Sequence, residues 1–581
     1  MDLPNSEFLL ELSLKPAADL LEARDYQINI AKSILRRGNS LVIMPTALGK
    51  TFIAILAMAK YVKEMHEGKR KRKKFLFLTP TKPLANQQAK RILELIDFGE
   101  NEKGGLNSEK IEELNANSTI RLTGLNDPEI DSKKLKRKKK AKDTPPQPVM
   151  LMTGENAPEK RSALWKSDEI WCYAATPQTV EFDVLAGRMD LSDFCLVVLD
   201  EAHRAVKDYS YSFVAREASK RGLLLIGLTA SPSADRKMID EICMNLNVRN
   251  IEIRSETDID VRKYAHEIKL DWVFVDLPEE MQKIKRQLLE LLKEALAQLK
   301  ELGAMGSVEM KSHKRELLAL RHRALANLNG DPANYHILSV HARAMNISHA
   351  IDLIEIEGAS ALLEFMREME GREKQSKAVR GILADPRWLA AQRDCMEFLE
   401  KGKEHPKFEK LVGILKKQPL GGGKAIVFAH YRNTVKKITK VLGEIEGIRP
   451  VEFIGKSKGG MGQKAQQQAM QEFRDGKYNV LVATSVAEEG LDIPDVELVV
   501  FFESVPSEIR LIQRRGRTGR IKDGKAIVLI TKGSKDEALF WSSKYKEKKM
   551  KRVVEGLRTS LLDAGAQNEL MGGQARTLLD Y

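Results

Sequence analysis

The sequence predicts an α/β chain in which two domains with parallel sheets flank an all-helical insertion. Three observations predict it. Short, uniformly apolar runs alternate with amphipathic stretches between residues 41 and 229, the pattern of buried parallel strands and their crossover helices. Between about 279 and 400 the apolar residues fall at helical spacing alone. The strand-and-helix alternation then returns at 425 and continues to 531.

The elements follow in order. LVIM (41–44), FLFLT (75–79), IWCYA (170–174), FCLVVLD (194–200) and LLLIGLT (223–229) read as strands of the first sheet. The stretch TFIAILAMAKYVKEM, with apolar Ile53, Leu56, Ala57 and Tyr61, reads as a crossover helix. In EEMQKIKRQLLELLKEALAQLKEL the residues Met281, Ile284, Leu288, Leu292 and Leu296 share one helix face. QPLGGGK (418–424) reads as a linker. The second sheet takes AIVFAHY (425–431), VEFIG (451–455), YNVLVAT (478–484), ELVVFFE (497–503) and KAIVLIT (525–531). The expected division is 1–255, 256–420, 421–545 and a tail, 546–581.

Composition narrows the function classes. The net charge is +14 and the isoelectric point near 9.2, which favours polyanionic partners because Lys and Arg release counterions from phosphates. No apolar run reaches the length of a membrane span. The acidic start, MDLPNSEFLLELSLKP, lacks the features of a secretory leader. Cys172, Cys195, Cys243 and Cys395 form no C-x-x-C pair, so a reduced protein in the cytoplasm is expected. The block DSKKLKRKKKAKDTPPQP (131–148) packs like charges beside prolines and is expected to be a solvated loop.

The chemistry lies in three stretches. PTALGKT (45–51) joins the strand LVIM to a helix, the setting a phosphate-binding loop requires. Backbone N–H groups at that helix start can face phosphates. Thr46, Gly49, Lys50 and Thr51 are the candidate ligands: Lys50 for the β and γ phosphates of ATP, Thr51 for Mg²⁺. LVVLDEAH (196–203) ends a strand in two carboxylates. Asp200 is placed to hold Mg²⁺ and Glu201 to polarise the attacking water. QRRGRTGR (513–520) offers Arg517 and Arg520 as arginine fingers for the γ-phosphate.

Together these stretches resemble the motifs of superfamily 2 helicases and translocases of the DEAH-box type, and more of the chain joins them. ARDYQ (23–27), FLTPTKPLANQQ (77–88), AATPQT (174–179), LTASP (228–232), IVFAHYR (426–432) and VATSVAEEGLDIPDVELVVFFE (482–503) resemble the remaining motifs in order. PTKPLANQQ, LDEAHRA, SVAEEGLDIP, QRRGRTGR and the long helical insertion are similar to the archaeal Hef and eukaryotic FANCM branch, with RIG-I and Dicer as further relatives.

The resemblance implies two RecA-like P-loop NTPase domains around the helical insertion and an ATP-driven motor on forked or branched DNA, in repair or fork restart. It implies that Gln27 reads adenine and that Gly490 and Asp492 complete the nucleotide site with Gln513. It implies that Thr81, Thr176 and Thr484 touch the nucleic-acid backbone. His203, Thr229 and Ser231 would relay hydrolysis into domain movement. No E-R-K-x-x-x-D nuclease signature occurs, so a nuclease, or a sliding clamp, would be a separate partner. Ala47 stands where this superfamily commonly has glycine, and Met44 where the general loop pattern begins with one. Alanine is small enough for close backbone approach, and the first glycine is absent from superfamily 2 loops. Two other readings stay open: an RNA-directed ATPase of the RIG-I type, and a non-catalytic DNA-binding scaffold.

Overall fold

The computed structural model describes residues 4–15, 23–46, 48–99, 147–264, 268–305, 313–326, 332–417, 423–455, 460–484, 496–504 and 524–570. Two parallel sheets dominate it. The first contains β1 (Ser40–Ile43), β2 (Lys74–Leu78), β3 (Val149–Met152), β4 (Cys172–Ala175), β5 (Phe194–Asp200), β6 (Leu224–Thr229) and β7 (Asn250–Ile253). Their spatial order is β3-β4-β2-β5-β6-β1-β7. Both faces are covered. Val42, Phe75, Phe77, Leu196, Val198 and Ile226 pack into one core, and Leu41, Ile43, Leu76, Leu78, Val197 and Leu199 into the other. Alternate residues of one apolar strand therefore serve opposite cores, which is why the strands read as unbroken hydrophobic runs.

The second sheet contains β8 (Ile268–Val275), β9 (Ala425–Phe428), β10 (Pro450–Phe453), β11 (Val480–Ala483), β12 (Leu498–Phe501) and β13 (Gly524–Thr531), in the order β10-β11-β9-β12-β13-β8. Strand β8 lies within the span 256–420 that the sequence assigns to the helical insertion. It nevertheless pairs along its whole length with β13, from Ile268↔Gly524 to Val275↔Thr531. The chain therefore gives one strand to the second sheet before it enters the helices. Strands β3 and β7 also lie outside the runs that the sequence pattern picks out; they are the two edges of the sheet, and the central residues of each are only half-buried.

Between β8 and β9 the described residues are helical, with Glu279–Glu301, Pro332–Ile356 and Pro386–Glu400 the longest helices. Met281, Ile284, Leu288, Leu292, Ile347, Trp388 and Phe398 share their core.

The last element, Lys535–Leu570, is one helix that runs from 535 into the expected tail, as far as Leu570. At about 1.5 Å per residue it is about 54 Å long, and it touches all three regions. Phe540 packs on the second sheet. Lys535 Nζ bonds Asp352 of the helical region at 2.9 Å. Leu557 enters a core of the first sheet, and Arg558 pairs with Asp258 at 2.7 Å. Among the described residues no helix is long and apolar enough to cross a membrane. Residues 131–146 of the basic stretch lie outside the described residues.

Candidate nucleotide and nucleic-acid site

The site begins where β1 ends. Met44 N–H donates to Thr229 O at 3.0 Å, which holds the start of the phosphate loop against β6. The loop closes at Gly49, the N-cap of the helix Lys50–His66, with φ of 76°. That left-handed conformation favours glycine. A Cβ on Gly49 would also sit 2.4 Å from Gln27 Nε2, so the Gln27 side chain would have to shift. Lys50 Nζ donates to Met44 O and Pro45 O, each at 3.1 Å, so its ammonium lies under the loop. Thr51 stands in the first helical turn. Thr46 is half-buried, and Ala47 lies outside the described residues.

Gln27 is buried, and both polar atoms of its amide are engaged within the protein. Its Oε1 accepts Arg24 N–H at 3.0 Å, and its Nε2 donates to Leu48 O at 3.0 Å. Tyr26 Oη donates to the same carbonyl at 2.8 Å. Two neighbouring side chains thus brace the loop from the helix Asp25–Arg37. Sequence reasoning missed Tyr26, although it adjoins Gln27 in ARDYQ.

The carboxylates come from β5. Asp200 ends the strand and is buried. Its backbone oxygen accepts from the buried Tyr211 hydroxyl at 2.7 Å, and its Oδ1 accepts Glu201 N–H at 3.1 Å. Burial pushes the Tyr211 hydroxyl pKa well up, so it stays a donor. No pattern in the sequence singles out Tyr211. Glu201 adopts a left-handed φ of 56°, an uncommon conformation for a residue with a Cβ. This turns its side chain toward His203, whose Nδ1 lies 3.3 Å from Glu201 Oε2. Burial works against the charged carboxylate, but His203, Lys50 and Arg204 together outweigh it. Glu201 is held below its ordinary pKa.

His203 Nδ1 also lies 3.2 Å from Thr229 Oγ1, which accepts Ser231 N–H at 3.2 Å. Ser231 Oγ is buried without a hydrogen-bond partner. Asp200, Glu201, His203, Thr229 and Ser231 are thereby brought together at the ends of the adjacent strands β5 and β6, beside β1.

A magnesium ion fits this donor set. Asp200 and Thr51 offer one carboxylate and one hydroxyl, suited to an ion that keeps waters and takes phosphate oxygens. Among the described residues no group of three or more His, Cys, Asp or Glu could hold a metal by itself.

The three threonines expected on nucleic acid all follow strand ends. Thr81 is the N-cap of the helix Lys82–Leu95, beyond β2, and its Oγ1 is buried without a partner. Thr176 is the N-cap of Pro177–Leu185, beyond β4, with its hydroxyl 2.9 Å from that of Thr179. Thr484 follows β11 and is buried, its N–H donating to Phe453 O at 3.1 Å. Gly490, Asp492, Gln513, Arg517 and Arg520 lie outside the described residues.

Comparison with known proteins matches this architecture piece by piece. Residues 20–234 match the family described as type III restriction enzyme, res subunit. Residues 406–522 match the helicase conserved C-terminal domain. Residues 280–400 match a family described as the helical bundle of an ATP-dependent RNA helicase. The crystal structure of the Pyrococcus furiosus Hef helicase domain is 38% identical, with a TM-score of 0.62, over 91% of this chain and 99% of that one. The chain belongs to the Hef/FANCM-like family of superfamily 2 helicases. Curated relatives of this Hef-like chain include a protein of Methanocaldococcus jannaschii named as an ATP-dependent RNA helicase, 35% identical over 92% of this chain. FANCM of Arabidopsis thaliana, named a DEAD-box ATP-dependent RNA helicase, is 31% identical over 89%. The ATP-dependent DNA helicase mph1 of Neurospora crassa is 30% identical over 92%. The Hef-like chain spans 61%, 36% and 43% of their respective lengths.

Proposed function

We propose that this Hef-like chain is an ATP-dependent DNA helicase or translocase that acts on forked or branched DNA in repair or fork restart. One observation carries the reading: the phosphate loop after β1 and the Asp200–Glu201 pair after β5 are joined through β6, by Met44 N–H to Thr229 O and by Thr229 Oγ1 to His203. ATP hydrolysis needs the first two, and motion needs the joint.

In this reading the loop N–H groups and Lys50 hold the phosphates, and Gln27 faces adenine. Asp200 and Thr51 would hold Mg²⁺, which neutralises phosphate charge. Glu201, kept ionised by His203, Lys50 and Arg204, takes the proton of the attacking water. Gly490, Asp492 and Gln513 complete the pocket, and Arg517 and Arg520 stabilise the γ-phosphate charge from the second lobe. His203, Thr229 and Ser231 carry the change of state to the second lobe. Thr81, Thr176 and Thr484 bind the sugar–phosphate backbone, which positions a strand without reading its sequence. The reading keeps the division 1–255, 256–420 and 421–545, with β8 moved to the second lobe because it pairs with β13. A nuclease or a sliding clamp would be a separate partner.

ATP hydrolysis measured with single-stranded, duplex and forked DNA and with RNA, at one salt concentration, tests the proposal. Forked DNA should stimulate most, and Glu201→Gln should lower the stimulated rate by about a hundredfold or more. Stimulation by RNA alone would install the RNA-directed reading, which the names of two relatives favour. Nucleic-acid binding with no hydrolysis at all would leave a scaffold.

A further inference from the structure

The C-terminal helix buries Phe540, Met550 and Leu557 on one side. Its opposite side is unlike an ordinary solvated face. Trp541 is 47% exposed and Tyr545 69% exposed. Lys548 and Arg552 are exposed as well, and positions 541, 545, 548 and 552 form a single stripe. Strand β8, at the edge of the second sheet, adds Trp272 beside this stripe. Its ring lies 5.7 Å from Phe540, which lies 5.1 Å from Trp541. Lys544 Nζ sits 4.0 Å above Trp272 and 5.3 Å from Trp541.

Two features separate this patch from a solvated helix face. Five aromatic side chains are exposed among the described residues, namely Phe182, Trp272, Tyr335, Trp541 and Tyr545, and three of them lie on or beside this stripe. Between Ala538 and Val554 the helix carries six Lys or Arg residues, while the one carboxylate there, Glu547, is buried. Among the described residues no ion pair engages Lys548 or Arg552, so these charges are open to an anion. The Trp541 indole N–H donates to Glu537 at 3.3 Å at one end of the stripe, and Lys544 lies over one side of the ring, so a base would meet the part of the ring that stays exposed.

We propose that this face is a second nucleic-acid contact, a stacking platform for a single strand. Flat aromatic faces suit unpaired bases, whose π-surfaces a duplex keeps hidden, and the flanking cations suit the phosphates between them. From 541 to 552 the stripe is about 16 Å long, enough for about four nucleotides. The inference rests on the nucleic-acid motor reading and adds to it a site apart from the strand-end threonines.

The test uses the full chain with a twelve-residue oligothymidylate, a blunt duplex and a fork. Trp541→Ala with Tyr545→Ala should weaken oligothymidylate binding by about tenfold or more. Duplex binding should stay within about twofold, and Trp541→Phe should restore most of the loss. Lys548→Ala with Arg552→Ala should lower the salt slope of oligothymidylate binding by about 1.4, at about 0.7 per phosphate. Unchanged affinity and unchanged slope in both double variants would overturn the platform, as would equal losses on duplex and single strand. If no nucleic acid stimulates ATP hydrolysis by the unaltered chain while the binding losses appear, the motor reading falls and the platform stands. If stimulation appears without the binding losses, the platform falls and the motor reading stands.

Discussion

His203 Nδ1 lies 3.2 Å from Thr229 Oγ1 and 3.3 Å from Glu201 Oε2. One imidazole thus touches both the residue we propose to activate water and the strand end that leads to Ser231. The same Thr229 contributes its backbone oxygen to Met44 of the phosphate loop at 3.0 Å. Three contacts therefore lead from the Glu201 carboxylate to Met44.

His203→Ala should therefore separate nucleotide binding from its consequences. We expect the nucleic-acid-stimulated kcat to fall about tenfold or more, with KM for ATP held within about twofold, because the lost contacts act on the relay and not on ground-state binding. Steady-state kinetics over a nucleotide series checks this. A raised KM with unchanged kcat would place His203 in nucleotide binding.

Gly49→Ala should impair the loop twice over. The φ of 76° strains any side chain, and the new methyl meets Gln27 Nε2 at 2.4 Å. The strain alone costs on the order of 1–3 kcal/mol. Gln27→Ala added to Gly49→Ala should recover only the steric part, since the backbone conformation is unchanged. Nucleotide titration and thermal melting of both variants measure the two parts separately.

The ion pair Lys407–Asp536 is fully buried at 2.7 Å, and Asp536 also accepts Ser504 N–H at 2.6 Å and Thr531 N–H at 3.1 Å. It ties the helix Pro406–Lys417, which leads into the second sheet, to the start of the C-terminal helix. Lys407→Met leaves a buried carboxylate without its counter-ion and should cost about 3–5 kcal/mol in denaturant unfolding. Lys407→Met with Asp536→Asn should cost less than the single change.

Stability should peak between an acid and an alkaline limb. Burial, aided by the Lys407 charge, depresses the His405 pKa to about 3 from 6.5. A depressed histidine stays neutral in the fold while the unfolded chain gains a proton. Stability is therefore lost as pH falls from 6.5 toward 3, by about 1.4 kcal/mol per unit. Glu357 behaves oppositely. Burial first, then the neighbouring Glu503 carboxylate, raise its pKa well above 4.5, against the Thr434 and Lys407 contributions. Its contribution is complete below pH 4.5 and is lost as pH rises through the folded value. Its buried Oε1 has no hydrogen-bond partner, which a neutral carboxyl tolerates better than a carboxylate. Glu357→Gln should flatten the alkaline limb and leave the acid limb in place, as thermal melting from pH 4 to pH 9 would reveal.

The sequence by itself determined what is local. A strand, a loop and a helix in immediate succession are a local pattern, so the junction that holds Gly49, Lys50 and Thr51 was legible from spacing. The strand that ends in Asp200, with Glu201 just beyond it, was legible for the same reason, as were most strands of both sheets through their apolar runs. Tertiary structure decided what depends on distant partners. Strand β8 pairs with β13 across about 250 residues of chain, and nothing in IKLDWVFV itself names that partner. Gln27 and Tyr26 became braces of the loop only because Leu48 O folds onto them. Trp541 and Tyr545 have ordinary helical spacing in the sequence, and only packing of the opposite side left them exposed beside Trp272. Pattern along a chain fixes which residues share a strand or a helix face, but which face is covered depends on contacts between segments far apart, and those exist only in the folded molecule.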